Sequence, residues 1–396
     1  MQSPDLPIGK PHRRASERAR HVIFSFDDMT WAAAQARGMC FPQDQLALAL
    51  LDDPAVERLL VCDRPRSAPI KLAKDLYERP LRLKSSLRVG HWEPLRWRRR
   101  EPVSVAALER TYRAYDRRLR RVAERRGLER PAVITGQPFI AAFAPLEWAG
   151  PVTLFSTDDL AAHPDYQRWR PSLLAAYERI ARSGRRLCAV SSAIVDRIEP
   201  SGPASVVPNG VDEKLWMSPE QAPLWFRQLP GPRLLYVGTI DSRLDTEALR
   251  AVARAFPKAT VSLVGPLTER SHVESLLAEP NVSVHGAVPR GEVAALCHGA
   301  DACLLPHRET ELTKAMSPLK LYEYLASGTP TVATDLEPVR RAGGSIVRVA
   351  PTGDFAAGVR AALEAGRVSE EDRRSFVTEN SWANRSAEVL DLALPL

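Results

Sequence analysis

Short apolar runs alternate with helical stretches along most of the 396-residue chain, and no other sequence feature constrains the fold as much. In the first half "HVIFSF", "VERLLVC", "PAVIT", "PVTLFS", "RLCAVSS" and "ASVVP" read as strands. Between them "WAAAQARGM", "VAALERTYRAYDRRLRRVAERR" and "DYQRWRPSLLAAYERIARSG" read as helices. The second half repeats the scheme with "RLLYVG", "TVSLVG", "ACLLP", "PTVAT" and "SIVRVA" as strands. Its helix "DTEALRAVARAFP" sets Ala248, Leu249, Val252, Ala253 and Phe256 on one face at a period of 3.6 residues. Such an alternation implies parallel sheets covered on both faces. The expectation is two α/β units in tandem, joined near "VVPNGVDEKLW", each long enough for its own core. The first ~15 residues and the proline-rich Pro219–Pro232 read as tail and linker.

Composition narrows the class. A hydrophobic fraction of 44% with 26% charged residues belongs to a globular chain, and no run of about 18 apolar residues suggests a membrane span. The opening residues lack the apolar core of a secretory signal. Five scattered cysteines without metal spacings favour reduced thiols, hence a cytoplasmic location, with the inner face of the membrane as its possible site of work. The net charge of +7 is uneven: through residue 210 there are 35 Lys and Arg against 24 Asp and Glu. The excess gathers between residues 82 and 130. That segment is either a solvated helix face or a basic surface for anionic lipid or an acidic acceptor. No nucleic-acid motif accompanies it.

The stretch "MSPLKLYEYLASGTPTVAT", residues 316–334, carries the most chemistry. Ser317 is a favoured N-cap, Pro318 suits the first helical turn, and Gly328 with Pro330 ends the helix. Leu319, Tyr322, Leu325 and Ala326 share one face. The amino end of this helix aims free N–H groups at the carboxyl edge of the sheet, where α/β proteins bind ligands. Lys320 in the first turn opposes the helix dipole yet is well placed for a phosphate, and Glu323 can accept from ribose hydroxyls. "YVGTIDSRLD" adds Gly238 behind a strand and Arg243 as a diphosphate clamp, without a dinucleotide fingerprint.

With "VVPNGVD", "SLVGP", "VSVHGAV" and "ACLLPHR", these segments resemble the donor half of two-domain GT-B glycosyltransferases, most closely bacterial members of the teichuronic-acid-biosynthesis type. The resemblance runs from about residue 186 to 385. It implies two Rossmann-like domains facing each other across a cleft: 1–208 for the acceptor, 209–377 for a nucleotide-sugar, and a helix over about 378–396 crossing back to the first domain. Glu323 matches the ribose-binding glutamate; Gly238, Thr239 and Arg243 the phosphate-loop region; Ser317, Leu319 and Lys320 the diphosphate end of the helix. The segment His285–Val288 takes the base-contacting position through its backbone groups, and Trp382 is a packing anchor. Many retaining members carry a second glutamate where this chain has Ala315; Glu309 and Glu311 are the nearest substitutes, so the stereochemical outcome stays open.

In the first half, Asp158 and Asp159 lie just beyond a strand in "LFSTDDLAAHPDYQRW". Either one is poised to take a proton from an acceptor hydroxyl, or both cap the next helix. His163 shares that loop. After the first strand, Asp27, Asp28, Arg37 and Gln43 are candidates for acceptor hydroxyls, with Trp31 and Phe41 as stacking surfaces or core. Gln137 in "TGQPF" is a further cleft candidate. The expected activity is transfer of a sugar from a UDP- or GDP-sugar to a hydroxyl acceptor, lipid-linked or anionic, with no cofactor and no metal. Lys320, Arg243, Asp158 and Asp159 would carry the catalysis. Two alternatives stay open: a catalytically silent binding protein of a polysaccharide assembly complex, and an epimerase of the same fold.

Overall fold

A computed structural model describes residues 21–69, 71, 83–97, 100–351 and 353–394; the anticipated amino-terminal tail and part of the basic 82–130 segment lie outside them. The first half contributes strands β1 (His21–Ser25), β2 (Arg58–Cys62), β3 (Arg66–Ser67), β4 (Val89–Trp92), β5 (Leu95–Arg96), β6 (Ala132–Thr135), β7 (Val152–Ser156), β8 (Arg186–Ala189) and β9 (Ala204–Val206). Seven of them form one sheet in the order β4-β2-β1-β6-β7-β8-β9, and β3 pairs with β5 beside it. The second half adds β10 (Arg233–Val237), β11 (Thr260–Val264), β12 (Val282–His285), β13 (Ala302–Leu305), β14 (Thr331–Thr334) and β15 (Ile346–Val349), in the order β12-β11-β10-β13-β14-β15. The neighbouring strands run parallel throughout.

Parallel strands joined by helices must bury both faces, which explains the unbroken apolar runs. Val22, Ile23 and Phe24 in β1 and Leu234 and Leu235 in β10 are fully enclosed. Each such side chain contributes about 1.5–3 kcal/mol of burial. Ile23 packs with the long helix Val105–Arg125 on one face of the first sheet. Val22 and Phe24 pack on the other face with the helix Pro42–Asp52. The last helix, Trp382–Ala393, crosses back onto this second face, where Val389, Leu390 and Ala393 complete the first core.

Pro219–Pro232 is not a linker. Its short helix Leu224–Arg227 presses the fully buried Phe226 into the second core. The chain instead crosses between halves at Asn209–Val211 and again at Asn380–Trp382. The crossings are tied together: Val211 N donates to Asn380 O and Trp382 N to Val211 O, each at 2.9 Å.

Candidate active site

In both sheets the strand order reverses beside the first strand, and ligand crevices form outside the carboxyl ends of strands at such points. A cavity of about 670 Å³ lies there, walled by loops after β1 and β7 on one side and after β10, β11 and β13 on the other.

The helix predicted from Pro318 begins one residue later, at Leu319, with Pro318 in the N-cap position. Ser317 therefore does not cap it. Its Oγ accepts from the backbone N–H of Asn209 at 3.1 Å and so ties this helix to the first chain crossing. The anticipated one-sided burial is also too narrow: Leu321 to Ser327 are all buried, whereas Leu319 turns to the cavity. Gly328 ends the helix with φ 68°. Lys320 lies across Gly238, whose φ of +137° favours glycine and whose missing side chain makes room for the lysine. Gly265, at the end of β11, has φ +146°, and any Cβ there would collide with the Gly238 carbonyl. The two glycines keep the cavity floor bare backbone. Lys320 Nζ donates to the Tyr236 hydroxyl at 2.8 Å, and that hydroxyl in turn donates to the Thr239 carbonyl at 2.9 Å. Burial, reinforced by Arg243, lowers the Lys320 pKa to about 7, against the pull of Asp241 and Glu323.

Arg243 grips Asp241 with Nε 3.0 Å from Oδ1 and Nη2 2.6 Å from Oδ2. Burial opposes the arginine charge, yet the Asp241 pair holds its pKa above the usual value. Across the cavity Asp158 is pushed up to about 6 by burial, with Arg243 pulling down and Asp28 and Asp159 pushing up. One turn into the helix Glu323 is 7% exposed, and burial raises its pKa against Arg290 and Lys320.

The structure thus brings Asp28, Asp158, Gly238, Thr239, Arg243, Val288, Ser317, Leu319, Lys320 and Glu323 to one cavity. Four expectations fall elsewhere. Asp159 is buried away from the cavity wall, pairing with Arg197 Nε at 2.7 Å and accepting from the Ala161 amide at 3.1 Å. Trp31 is core: 3% exposed, its backbone N–H given to Asp63 at 2.8 Å. Gln137 caps the helix Pro138–Phe143 by accepting from the Phe139 amide at 3.1 Å. The His285 ring stacks on Trp225 with centroids 4.3 Å apart, while its carbonyl accepts from Gly265; Ala287 and Val288 face the cavity instead. His163 caps a short turn through Nδ1, 3.2 Å from the Asp165 amide. Ala315 is buried, with its carbonyl accepting from Ser191. Neither nearby glutamate substitutes for it, since Glu309 pairs with Lys314 and Glu311 with Arg197 outside the cavity.

Two site residues escaped the sequence reading. Asp241 sits two positions before the arginine it orients. Arg290 opens the helix Arg290–Gly299 and lines the cavity. The available signal was a cation in a first helical turn, unfavourable for the dipole, the same mark that singled out Lys320.

Two parallel sheets with facing carboxyl edges, and a second crossing that returns to the first sheet, define the GT-B fold. Residues 231–365 match the family model described as Glycosyl transferases group 1. TuaH of Bacillus subtilis (strain 168), a candidate teichuronic acid biosynthesis glycosyltransferase, is 34% identical over 136 residues, and the match spans about a third of either chain (33% of this one, 34% of TuaH). Sucrose-phosphate synthase from Thermosynechococcus elongatus superposes with a TM-score of 0.64 at 17% identity, over 93% of this chain and 97% of its own. The trehalose-6-phosphate protein from E. coli bound with UDP-2-fluoro glucose gives 0.67 at 11%, over 94% and 99%. Anabaena HepE in complex with UDP-glucose gives 0.53 at 16%, over 94% and 95%. At these identities the structural likeness concerns the fold.

Proposed function

We propose that this chain transfers a sugar from a nucleoside-diphosphate sugar, UDP- or GDP-linked, to a hydroxyl acceptor in the biosynthesis of a bacterial glycan, glycolipid or glycosylated metabolite. One observation carries the reading. A single helix offers its free amino end and Lys320 above the bare backbone of Gly238, and one turn later the buried carboxylate of Glu323, within one cavity. That spacing suits a diphosphate followed by its pentose. Charge developing on the departing diphosphate would meet Lys320, Arg243 and the helix N–H groups, preorganised donors in a partly dry site. They would supply what a divalent cation supplies in other sugar-transfer sites. Asp158, ionised above about pH 6, would accept the acceptor's proton, with Asp28 beside it. The UDP-glucose named in the HepE complex and the teichuronic acid role named for TuaH support a nucleotide-sugar donor and a bacterial glycan product.

The acceptor side of the reading includes an anionic membrane surface. Arg110, Arg113, Arg117, Arg121 and Arg125 are exposed along the helix Val105–Arg125, without an ion-pair partner among the described residues. Leu95 (41% exposed) and Trp97 (80%) lie beside them, tied by the Arg118 bond to the Leu95 carbonyl at 2.8 Å. Among the described residues no helix is long and apolar enough to cross a membrane. Arginines with apolar neighbours suit the interface of an acidic bilayer.

Thermal shift against UDP- and GDP-sugars, followed by product analysis, tests the donor reading. A raised melting point and a released nucleoside diphosphate are expected, both lost in Lys320→Ala. No shift and no release with any such sugar would overturn it.

A further inference from the structure

Arg290 reaches from the second half of the molecule to the first. Its Nη1 donates to the Cys40 carbonyl at 3.4 Å, and its Nη2 stands 3.3 Å from Glu323 Oε1, buried and without another partner. Cys40 follows a tight turn through Gly38 and Met39, both at positive φ. That turn is fixed by the Met39 amide on the Ala34 carbonyl at 2.9 Å and by the Arg37–Asp44 ion pair at 2.7 Å.

We propose that Arg290 is a positioning residue that keeps the Glu323 carboxylate ionised and aimed at the pentose of a nucleoside diphosphate, with the Cys40 turn steadying its guanidinium. The inference rests on the nucleotide-sugar reading above. A carboxyl as buried as Glu323 drifts toward its neutral form, and a neutral carboxyl is the weaker acceptor for ribose hydroxyls. The groups facing it are few. Lys320, on its own helix, lies nearer the diphosphate end and loses charge around neutral pH. Cys297, further along the Arg290 helix, is a thiol that burial keeps protonated. Arg290 remains as the cation set directly against the carboxylate, with Nη2 3.3 Å from Oε1.

Calorimetric titration separates the outcomes. UDP and GDP are compared with their 2′,3′-dideoxy counterparts between pH 6 and 8, in wild type, Arg290→Ala and Arg290→Lys. The wild type should favour the ribose form by about tenfold or more, the scale of one charge-assisted hydrogen bond. Arg290→Ala should lose most of that preference, and what is left of it should shrink as the pH drops toward 6, because its Glu323 protonates at higher pH. Ligand ionisation is common to all three proteins, so a difference in profile belongs to the protein. Arg290→Lys should restore the wild-type pH profile, and it carries the test if the alanine variant unfolds. Variants that keep the wild-type preference and profile overturn the role of Arg290 and leave the donor reading standing. A wild type that binds neither diphosphate removes both.

Discussion

Lys320 fills the space that a side chain at Gly238 would need: a Cβ there would approach Lys320 Cε to 2.8 Å. The lysine and the glycine lie 82 positions apart in sequence, yet neither can change without disturbing the other. Gly238→Ala should therefore cost about 1–3 kcal/mol of stability through strained φ alone. It should also push the ammonium off its perch and weaken UDP or GDP binding. Melting curves and titration calorimetry read the two effects separately, and unaltered nucleotide affinity would contradict the arrangement.

The Lys320 pKa near 7 gives binding a pH dependence of known sign. The ammonium is charged below that value and neutral above it. Affinity for a nucleoside diphosphate should fall as the pH rises through about 7. Lys320→Arg, charged throughout, should hold its affinity to higher pH. A flat wild-type profile between pH 6 and 9 would count against the lysine as a phosphate ligand.

Adjacent aspartates should give opposite phenotypes. Asp158→Asn should fold normally and lose roughly 10²–10⁴-fold in turnover, the range for a missing general base. The wild-type rate should decline as the pH falls through about 6, where Asp158 protonates. Asp159→Asn should instead lower stability by about 1.5–3 kcal/mol, the scale of one hydrogen bond to a charged group. Denaturant melts paired with initial rates distinguish the two, and a reversed pattern would exchange their roles.

Charge reversal at Arg113, Arg117 and Arg121 should abolish sedimentation with vesicles rich in acidic phospholipid, since each arginine near such a surface is worth about 1 kcal/mol. Wild-type binding should weaken with salt and with Trp97→Ala. Equal sedimentation of wild type and triple variant would remove the membrane from the proposal.

Most of the second half was legible because its strands are rich in apolar residues and several of its helices carry side-chain caps. Asp245, for example, caps the helix Thr246–Ala255 by accepting from the Ala248 amide at 3.0 Å. Lys320 and Glu323 were legible because one proline-marked helix start places both. Strand β4 was hidden inside an arginine-rich segment whose charges mask its apolar positions. Asp158 and Asp159 could not be told apart, because only the approach of Arg197, 38 residues on from Asp159, decides which carboxylate is held in the interior. Arg290 was missed because its partners, Cys40 and Glu323, come from distant parts of the chain. Trp31 stayed open between sugar-stacking surface and core because a tryptophan after a strand looks the same in either role.

The paired bonds between Val211 and the Asn380–Trp382 segment limit how this molecule can move. Both strands of the bridge are stitched at one spot, so any swing that leaves the stitch intact must turn about it as a door turns on one pin. Sliding the lobes past each other would tear it. Parting the crevice would then have to break the Arg290–Cys40 contact and the Arg197–Glu311 ion pair, which join the two halves away from the stitch.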